Sequence, residues 1–275
     1  MKPLIGRDTK LCMSLSGRPS NFGTRFHNRL YEIFGLDFVY KAFTTRDLDA
    51  AIGGIRALGI RGCAISMPFK EDVIPLLDEI EASAAAIDSV NTIVNDDGRL
   101  TGYNTDFIAV RHLVEAAGIP PSTPFLLRGS GGMAKAVIAA LRHLGFEAGT
   151  VVARNEAAGR GLAEAYGYDW QPALGPSGAP LLINVTPLGM EGPDAEALAF
   201  PEAMIGDAEI AFDVVALPPE TPFLRAAASA GKRLITGAEV IALQAVEQFV
   251  LYTGVRPDAE QIAEAAAFAR ENANR

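Results

Sequence analysis

Between a short apolar segment at residues 125–127 and a longer apolar-periodic one, the chain reads Gly129-Ser130-Gly131-Gly132-Met133-Ala134. This run satisfies the pattern G-x-G-x-x-G/A, which links the first strand of a dinucleotide-binding unit to its helix. The first glycine permits a tight turn, and the second lets the backbone approach a pyrophosphate. The helix N-terminus offers N–H groups to the phosphates. A glycine-rich turn can also simply connect strand to helix, but the context here predicts a dinucleotide site.

The residues after the glycine run are typical of a Rossmann domain. Further strand-like segments lie at 150–153, 181–185 and 210–215, with a helix between the first two. Arg154 and Asn155 follow the first of these strands, where an acidic residue would hold the ribose 2′-hydroxyl of NAD. Because arginine suits the 2′-phosphate of NADP, we predict NADP as the cofactor, with NAD as the alternative. A surface arginine without a ligand is the competing interpretation.

The first hundred residues alternate strand-like and helix-like segments. A helix is predicted to end near Gly35, Thr45 is predicted to cap the next one, and residues 73–80 are predicted to be helical. Asp97-Gly98 between two strand-like segments is typical of a hairpin. The predicted strands occupy residues 11–15, 38–43, 63–67, 90–94 and 100–103. This pattern predicts an α/β lobe with a mainly parallel sheet and one antiparallel part.

Composition and charge limit the possible functions. The 275 residues fit two ordinary domains or one large one, and a net charge of −9 without a basic block argues against nucleic acid as a partner. Cys12 and Cys63 are the two cysteines, which argues against a disulfide framework or a structural zinc site. His27, His112 and His143 have no metal-ligand spacing, so no metal is predicted. No segment approaches the roughly 20 apolar residues of a membrane span, and we expect a cytoplasmic protein.

Lys70 and Asp106 are candidates for proton transfer. Lys70 follows a predicted strand and Pro68, at a position where a loop faces a ligand cleft, and Asp106 follows the hairpin. Oxidation of an alcohol needs a group that removes the hydroxyl proton, and a lysine positioned by a carboxylate can do this. Spacing alone does not bring the two together, since most lysines and aspartates are solvated surface residues.

Several further motifs resemble those of the shikimate dehydrogenase family, and most closely its shikimate dehydrogenase-like branch. The resemblance extends over nearly the whole chain, and the number of motifs in the right order makes it specific. Besides the glycine run, the matching segments are Ser14-Leu15-Ser16, His27-Asn28, Ser66 through Lys70, Val90-Asn91-Thr92, Asn104-Thr105-Asp106, Asn184 through Met190, Thr221-Pro222-Phe223, and Gly237 through Gln244-Ala245.

The resemblance implies an α/β protein of two lobes. It implies a substrate-binding catalytic lobe at residues 1–106, a Rossmann NADP-binding domain at 107–236, and C-terminal helices at 237–275 that return to the first lobe. The implied reaction is reversible oxidation of shikimate to 3-dehydroshikimate with NADP⁺, a step of chorismate and aromatic amino acid biosynthesis. Lys70 and Asp106 would form the catalytic pair.

The resemblance also implies further site residues. Beside the glycine run and Arg154-Asn155, the residues implied to lie near the cofactor are Thr186, Met190 and Gly237. The residues implied to bind the hydroxyls and carboxylate of a small substrate are Ser14, Ser16, Ser66, Asn91 and Gln244.

Some positions depart from the family pattern. Ala64-Ile65-Ser66 stands where the family usually has Asn-x-Thr, and Ala216 stands where it has a substrate-facing tyrosine. Each lost polar contact to a ligand is worth on the order of 1 kcal/mol, so two losses weaken shikimate binding or slow its turnover by roughly tenfold or more. We therefore expect a dehydrogenase with poor efficiency on shikimate, with another polyhydroxy acid as an alternative substrate.

Two rival interpretations stay open. The scaffold could belong to a non-catalytic protein that senses a cofactor or metabolite, although both Lys70 and Asp106 are retained. It could also belong to an NADP enzyme acting on a folate or an amino-acid derivative, although Ser14 and Ser16 together with Gln244 favour a polyhydroxy carboxylate. The sequence is compatible with a monomer or a homodimer.

Overall fold

A computed structural model of the protein describes residues 3–271. These residues form two compact units, one up to Thr105 and again from Ala242 on, the other Asp106–Ile241. Each unit contains a six-stranded sheet. None of the helices within residues 3–271 combines the length and the apolar character that a membrane crossing requires.

The sheet of the first unit is mainly parallel, as predicted. Its strands are β1 (Lys10–Leu15), β2 (Phe38–Phe43), β3 (Gly62–Ile65), β4 (Glu79–Ile80), β5 (Thr92–Asp96) and β6 (Arg99–Tyr103). Their order in the sheet is β2-β1-β3-β5-β6-β4. Strand β5 runs antiparallel to both of its neighbours, whereas the other pairings are parallel. The start of β5 therefore lies at the same edge of the sheet as the ends of β1 and β3.

The predicted hairpin is confirmed in β5 and β6. Asp96 pairs with Arg99, and the two residues between them, Asp97 and Gly98, have φ values of 51° and 92°. Two consecutive left-handed residues give the turn whose twist matches that of the strands. The side chain of Asn95 accepts a hydrogen bond from the Gly98 amide at 2.8 Å and supports the turn.

Three helices accompany this sheet: α1 (Phe22–Phe34), α2 (Leu48–Ala57) and α3 (Ala82–Ala85). Helix α1 ends at Gly35, which has the left-handed conformation predicted for it. The predicted cap at Thr45 is wrong, because the Asp47 carboxylate accepts the cap hydrogen bond from Ala50 N at 2.9 Å. The Thr45 hydroxyl instead accepts from the Asp47 amide at 3.0 Å, within the turn before the helix.

The helix predicted at residues 73–80 is also wrong. The chain forms one 3₁₀ turn at Ile74–Leu76 and then enters strand β4, which pairs with β6. Pro75 lacks an N–H group, and the carboxylate of Asp78 accepts a hydrogen bond from Leu100 N at 2.7 Å on β6. These contacts with the sheet replace the helical hydrogen bonds.

The second unit has the strand order of a Rossmann domain. Its parallel strands are β7 (Phe125–Arg128), β8 (Gly149–Val152), β9 (Asp169–Gln171), β10 (Leu181–Asn184), β11 (Ile210–Asp213) and β12 (Arg233–Thr236). Their order is β12-β11-β10-β7-β8-β9, so the direction of winding reverses between β7 and β10. A ligand binds outside the carboxyl ends of the strands at this point in such sheets. The predicted fold class is confirmed, although β9 and β12 were not predicted.

The helices of the second unit connect the parallel strands. They are α4 (Thr105–Ala116), α5 (Gly132–His143), α6 (Glu156–Tyr166), α7 (Glu202–Asp207) and α8 (Pro222–Ser229). The apolar core on one side of this sheet is formed by side chains from the strands together with Met204 and Ile205 of α7 and Phe223 of α8.

Two C-terminal helices follow, α9 (Gly237–Thr253) and α10 (Ala259–Glu271). Phe249 and Tyr252 of α9 share a buried cluster with Phe26 and Tyr31 of α1. This packing returns the end of the chain to the first unit, as the fold class predicts, and places the polar residues of α9 over one face of the first sheet.

Candidate functional site

Polar residues meet at one edge of the first sheet. The Ser66 amide donates to the Leu15 carbonyl at 3.0 Å, and the Ile65 amide donates to the Asn91 carbonyl at 2.7 Å. The end of β1, the end of β3 and the residue before β5 therefore lie side by side. This arrangement gathers four of the predicted substrate residues, Ser14, Ser16, Ser66 and Asn91, at one edge.

Asn91 is the centre of a buried hydrogen-bond network. Its side chain is 3% exposed, and its oxygen accepts from the Thr105 amide at 2.8 Å and the Thr105 hydroxyl at 3.1 Å. The same oxygen accepts from the hydroxyl of Thr92 at 2.8 Å. Thr92 and Thr105 were not predicted as site residues. Each of the two threonines follows an asparagine within a segment that carries the family resemblance, Val90-Asn91-Thr92 or Asn104-Thr105-Asp106, and this is the sequence signal that could have indicated them.

Two glutamines of α9 extend this network. The Thr105 hydroxyl lies 3.3 Å from the side-chain oxygen of Gln244, a predicted substrate residue. Gln248, one helical turn later, donates to the Thr92 hydroxyl at 3.1 Å and is 5% exposed. Gln248 was not predicted, although its spacing of four residues from Gln244 places both on one side of the helix.

The two predicted catalytic residues lie next to this network in the chain. The Lys70 carbonyl accepts a hydrogen bond from the Val90 amide at 2.9 Å, beside Asn91. Asp106 follows Thr105 and is the second residue of α4. The side chains of Lys70 and Asp106 are half-buried. Residues 90 and 91 thus hold the backbone of Lys70 and the backbone immediately before Asp106.

The departure at Ala64 lies in a row of polar side chains. Ser14 of β1 pairs with Ala64 of β3, and Ala64 pairs with Thr92 of β5. Paired residues of adjacent strands present their side chains on the same face of a sheet. The methyl group of Ala64 therefore stands between the hydroxyls of Ser14 and Thr92. The Ser14 hydroxyl also hydrogen-bonds the side chain of Tyr40, whose pKa is raised by burial.

The remaining predicted serines differ in exposure. Ser16 is buried, and its hydroxyl accepts from the Arg18 amide at 3.1 Å. Ser66 is exposed.

The glycine run of the second unit lies at the reversal of strand order. Gly129 has φ of +127°, and a Cβ atom there would lie 2.8 Å from the Val185 side chain, so only glycine fits. A Cβ at Gly131 or Gly132 would meet nothing within 4 Å, which leaves an open cradle. Gly131 stands at the N-cap of α5 without a side-chain cap, so the helix N–H groups face this cradle. Ala134 is fully buried. The residues present fit a pyrophosphate.

Two arginines flank this cradle. Arg128 is the last residue of β7, and its register partner Val152 lies two residues before Arg154. Burial lowers the pKa of Arg128, and the positive charge of Arg154 lowers it further. The Arg128 guanidinium donates a hydrogen bond to the Ala199 carbonyl, and Glu156 pairs with Arg160 at 2.8 Å. Arg128 was not predicted; a charged residue at the carboxyl end of a strand, directly before the first glycine, was the available signal.

Other predicted cofactor residues lie nearby in the same unit. Asn155 caps α6 by accepting from the Ala158 amide at 3.1 Å. Thr186 follows β10, the strand beside β7, and its hydroxyl donates to the Asn184 side chain at 2.6 Å. Met190 is 45% exposed. A Cβ at Gly237 would lie 2.4 Å from the Val214 carbonyl oxygen, so this position requires glycine.

A buried carboxylate lies behind the Thr186 segment. Asp213, which is 0% exposed, ends β11 and pairs in register with Asn184. Burial raises the pKa of Asp213 to about 6, and hydrogen bonds from Thr221, Val215 and Asn184 oppose that increase. Perturbed carboxyl groups cluster at functional sites, which makes Asp213 a candidate for a role at this edge of the sheet.

Comparison with known proteins identifies the family. Residues 21–93 match the shikimate dehydrogenase substrate binding domain. The chain is 59% identical to a shikimate dehydrogenase-like protein of Haemophilus influenzae, over 97% of this chain and 99% of the relative.

Solved structures are similar over the same length. A shikimate 5-dehydrogenase-like protein superposes with a TM-score of 0.96 at 59% identity, covering 97% of this chain and all of the other. Shikimate 5-dehydrogenase of Thermus thermophilus in complex with NADP(H) and shikimate superposes with a TM-score of 0.83 at 32% identity, covering 94% of this chain and 99% of that chain. The chain belongs to the shikimate dehydrogenase family.

Proposed function

We propose that the chain is an NADP-dependent oxidoreductase of the shikimate/quinate dehydrogenase type, which acts on a ring alcohol of a small polyhydroxy carboxylate. Its reaction is the reversible oxidation of shikimate to 3-dehydroshikimate, with reduced efficiency on shikimate. Family membership and the NADP(H) and shikimate bound by the Thermus thermophilus relative support the reaction type.

One observation carries the assignment of the catalytic residues. Val90 and Asn91 hold the Lys70 carbonyl and the Thr105 amide at 2.9 and 2.8 Å. A base and its orienting carboxylate need fixed positions, because proton transfer depends on hydrogen-bond geometry. This buried segment fixes the backbone at Lys70 and directly before Asp106. It supports a pair in which Lys70 takes the hydroxyl proton of the substrate and Asp106 orients the lysine.

The substrate contacts follow from the polar sheet edge. Asn91 and Gln244 belong to a connected hydrogen-bond network, so their orientations are fixed before a ligand arrives. Ser14, Ser16 and Ser66 add hydroxyl groups. We assign these five residues to the hydroxyls and carboxylate of the substrate, and residues 1–106 to the substrate-binding lobe.

The cofactor contacts belong to the Rossmann domain, residues 107–236. Bound NADP supplies the acceptor for the hydride. The glycine run, with Ser130 and Met133 between its small residues, cradles the pyrophosphate at the N-terminus of α5. We assign Arg154 and Asn155 to the 2′-phosphate, together with Arg128, because its strand β7 pairs with β8, which leads to Arg154. Thr186, Met190 and Gly237 border the nicotinamide side.

The reduced efficiency on shikimate rests on Ala64. The methyl group between Ser14 and Thr92 offers no hydrogen bond at a position where the family usually has an amide. Ala216 likewise replaces a tyrosine. Each missing contact costs on the order of 1 kcal/mol of transition-state binding. A different polyhydroxy acid with an apolar group at this position is the alternative substrate.

A substrate panel tests the proposal. Shikimate, quinate and related polyhydroxy acids are assayed with NADP⁺ and NAD⁺ by absorbance of the reduced nicotinamide. We expect turnover with NADP⁺ and a shikimate kcat/KM below about 10⁴ M⁻¹s⁻¹. A higher value removes the claim of reduced efficiency, and absence of turnover with every acid favours a sensing protein.

Both cysteines are free and buried, which supports a reducing compartment such as the cytoplasm.

A further inference from the structure

The buried carboxylate of Asp213 belongs neither to the proposed proton-transfer pair nor to the glycine cradle. One of its oxygens accepts from the Asn184 side-chain amide at 3.0 Å and from the Val215 amide at 3.0 Å. The other accepts from the Thr221 hydroxyl at 2.6 Å. Asp213 is 0% exposed, and burial of its charge at the carboxyl end of β11 is costly unless hydrogen bonds such as these three compensate for the lost solvation.

Asp213 determines the orientation of the Asn184 amide. An ionised carboxylate only accepts hydrogen bonds, so the NH₂ group of Asn184 must face it. The second hydrogen of that NH₂ group goes to the Leu188 carbonyl at 3.2 Å. The oxygen of Asn184 therefore faces Thr186, where it accepts from the amide at 3.1 Å and the hydroxyl at 2.6 Å.

This orientation sets the hydrogen-bonding character of Thr186. Its hydroxyl proton is committed to Asn184, and its oxygen accepts from the Leu188 amide at 3.2 Å. A ligand group that reaches this oxygen must therefore donate a hydrogen bond. Through Asn184, Asp213 thus determines that the Thr186 hydroxyl accepts, rather than donates, a hydrogen bond from a ligand.

A second contact ties the same loop to Asp213. Gly189 has φ of +85°, and a Cβ there would lie 2.9 Å from the Cβ of Thr221. The loop 186–190 therefore packs directly on the residue that caps α8. Thr221 accepts from Leu224 N at 3.2 Å and donates its own proton to Asp213. The Asp213 carboxylate is thus hydrogen-bonded to both residues that support the loop 186–190, Asn184 and Thr221.

We propose that Asp213 is a positioning residue for the dinucleotide: through Asn184 and Thr221 it holds the loop 186–190 in its binding shape and makes Thr186 a hydrogen-bond acceptor. The inference rests on the proposed function, since it takes Thr186 and Met190 to border the cofactor. It assigns to Asp213 no contact with the substrate.

The test measures binding of NADPH and turnover separately. NADPH fluorescence gives the dissociation constant of the wild-type protein, Asp213→Ala, Asp213→Asn and the exposed control Asp207→Ala. Asp213→Ala should raise the dissociation constant and the KM for NADP⁺ by about tenfold or more, with the KM for the acid unchanged. Asp213→Asn can present its carbonyl oxygen to Asn184 and its amide to Thr221, so it should restore most of the affinity.

A second pair of variants covers the case in which Asp213→Ala does not fold. Thr221→Val keeps the shape of the side chain but removes the hydroxyl, and Thr221→Ser keeps the hydroxyl. Thr221→Val should raise the dissociation constant for NADPH about threefold or more, and Thr221→Ser should reverse the effect. Circular dichroism and melting temperature establish the folded fraction.

The outcomes separate the inference from the function on which it rests. If the wild-type protein does not bind NADPH, the proposed function fails. If it binds NADPH but Asp213→Ala or Thr221→Val binds equally well, the positioning role is overturned. A variant can also lower kcat only because a smaller fraction of the protein is folded and active. If its KM values for NADP⁺ and for the acid stay at wild-type levels, Asp213 has a structural role only, and the positioning role is overturned.

Discussion

The side-chain oxygen of Asn91 lies 2.8 Å from the backbone nitrogen of Thr105. This contact joins the residue before β5 to the residue before Asp106, and the neighbouring Val90 amide binds the Lys70 carbonyl. The adjacent residues Val90 and Asn91 therefore bind the parts of the first unit that lead to both predicted catalytic residues.

Asn91→Ala should reduce activity by more than the accompanying loss of folding stability explains. It leaves the Thr105 amide unpaired, so we expect a loss of about 1–3 kcal/mol in the free energy of unfolding and a fall in kcat/KM of about 100-fold. Asn95→Ala is the matched control, because Asn95 is also buried near β5 but binds Ile55 and Gly98 at the far end of the strand. Denaturant unfolding measures the stability of both variants, and steady-state kinetics measures their kcat/KM. Equal kinetic losses in both variants would contradict a role for Asn91 at the site.

Lys70→Ala should abolish turnover without abolishing cofactor binding. Removal of a proton-transfer group lowers kcat by about 10³-fold. The dissociation constant for NADPH should stay near that of the wild-type protein, since Lys70 belongs to the first unit. Lys41→Ala, on the exposed face of β2, is the control. A variant with near-normal turnover would remove Lys70 from the mechanism.

Ala64→Asn should improve the use of shikimate. The amide would stand between Ser14 and Thr92 and supply the missing polar contact. We expect kcat/KM for shikimate to rise about tenfold. Ala42→Asn is the control, since Ala42 pairs with Ser14 from the opposite side. Should both substitutions have the same effect, the position of Ala64 is not the cause of the low efficiency.

Arg128→Leu and Arg154→Ala should each reduce the preference for NADP over NAD. A guanidinium contact with a phosphate dianion is charge-assisted, so its loss should raise the KM for NADP⁺ about tenfold and leave that for NAD⁺ unchanged. Arg225→Ala, an exposed arginine of α8 in the same unit, is the control. An Arg128→Leu variant with unaltered cofactor selectivity would remove Arg128 from the phosphate site.

Asp213→Asn should change how stability depends on pH. The pKa of Asp213 is raised from 3.8 to about 6 in the folded protein. Its favourable contribution is therefore present below pH 3.8 and is lost as the pH rises through about 6. Between pH 4 and pH 7 the wild-type protein should lose up to about 3 kcal/mol relative to the asparagine variant, at 1.36 kcal/mol per pKa unit. Urea unfolding at several pH values measures this. A difference independent of pH would contradict the raised pKa.

Local sequence signals were sufficient for much of the fold. Gly35 at the end of α1, Asp97-Gly98 in the hairpin and the glycine run before α5 each reflect a backbone conformation that few residues adopt. The prediction failed at residues 73–80, where pairing of β4 with β6 outweighed the apolar pattern. Local propensity is a weak preference that sheet contacts override.

Local patterns along the chain were sufficient to predict the two α/β units and the glycine cradle, because these depend on neighbouring residues, and the family resemblance supplied most of the candidate site residues. The folded structure was needed to show that Asn91 binds Thr105, that Ala64 stands between Ser14 and Thr92, and that Asp213 supports Thr186 through Asn184. Those relationships depend on strand register and on one strand running against its neighbours. Register is set by the packing of the whole sheet, and a shift of β3 by one residue would turn Ala64 to the opposite face, away from Ser14 and Thr92.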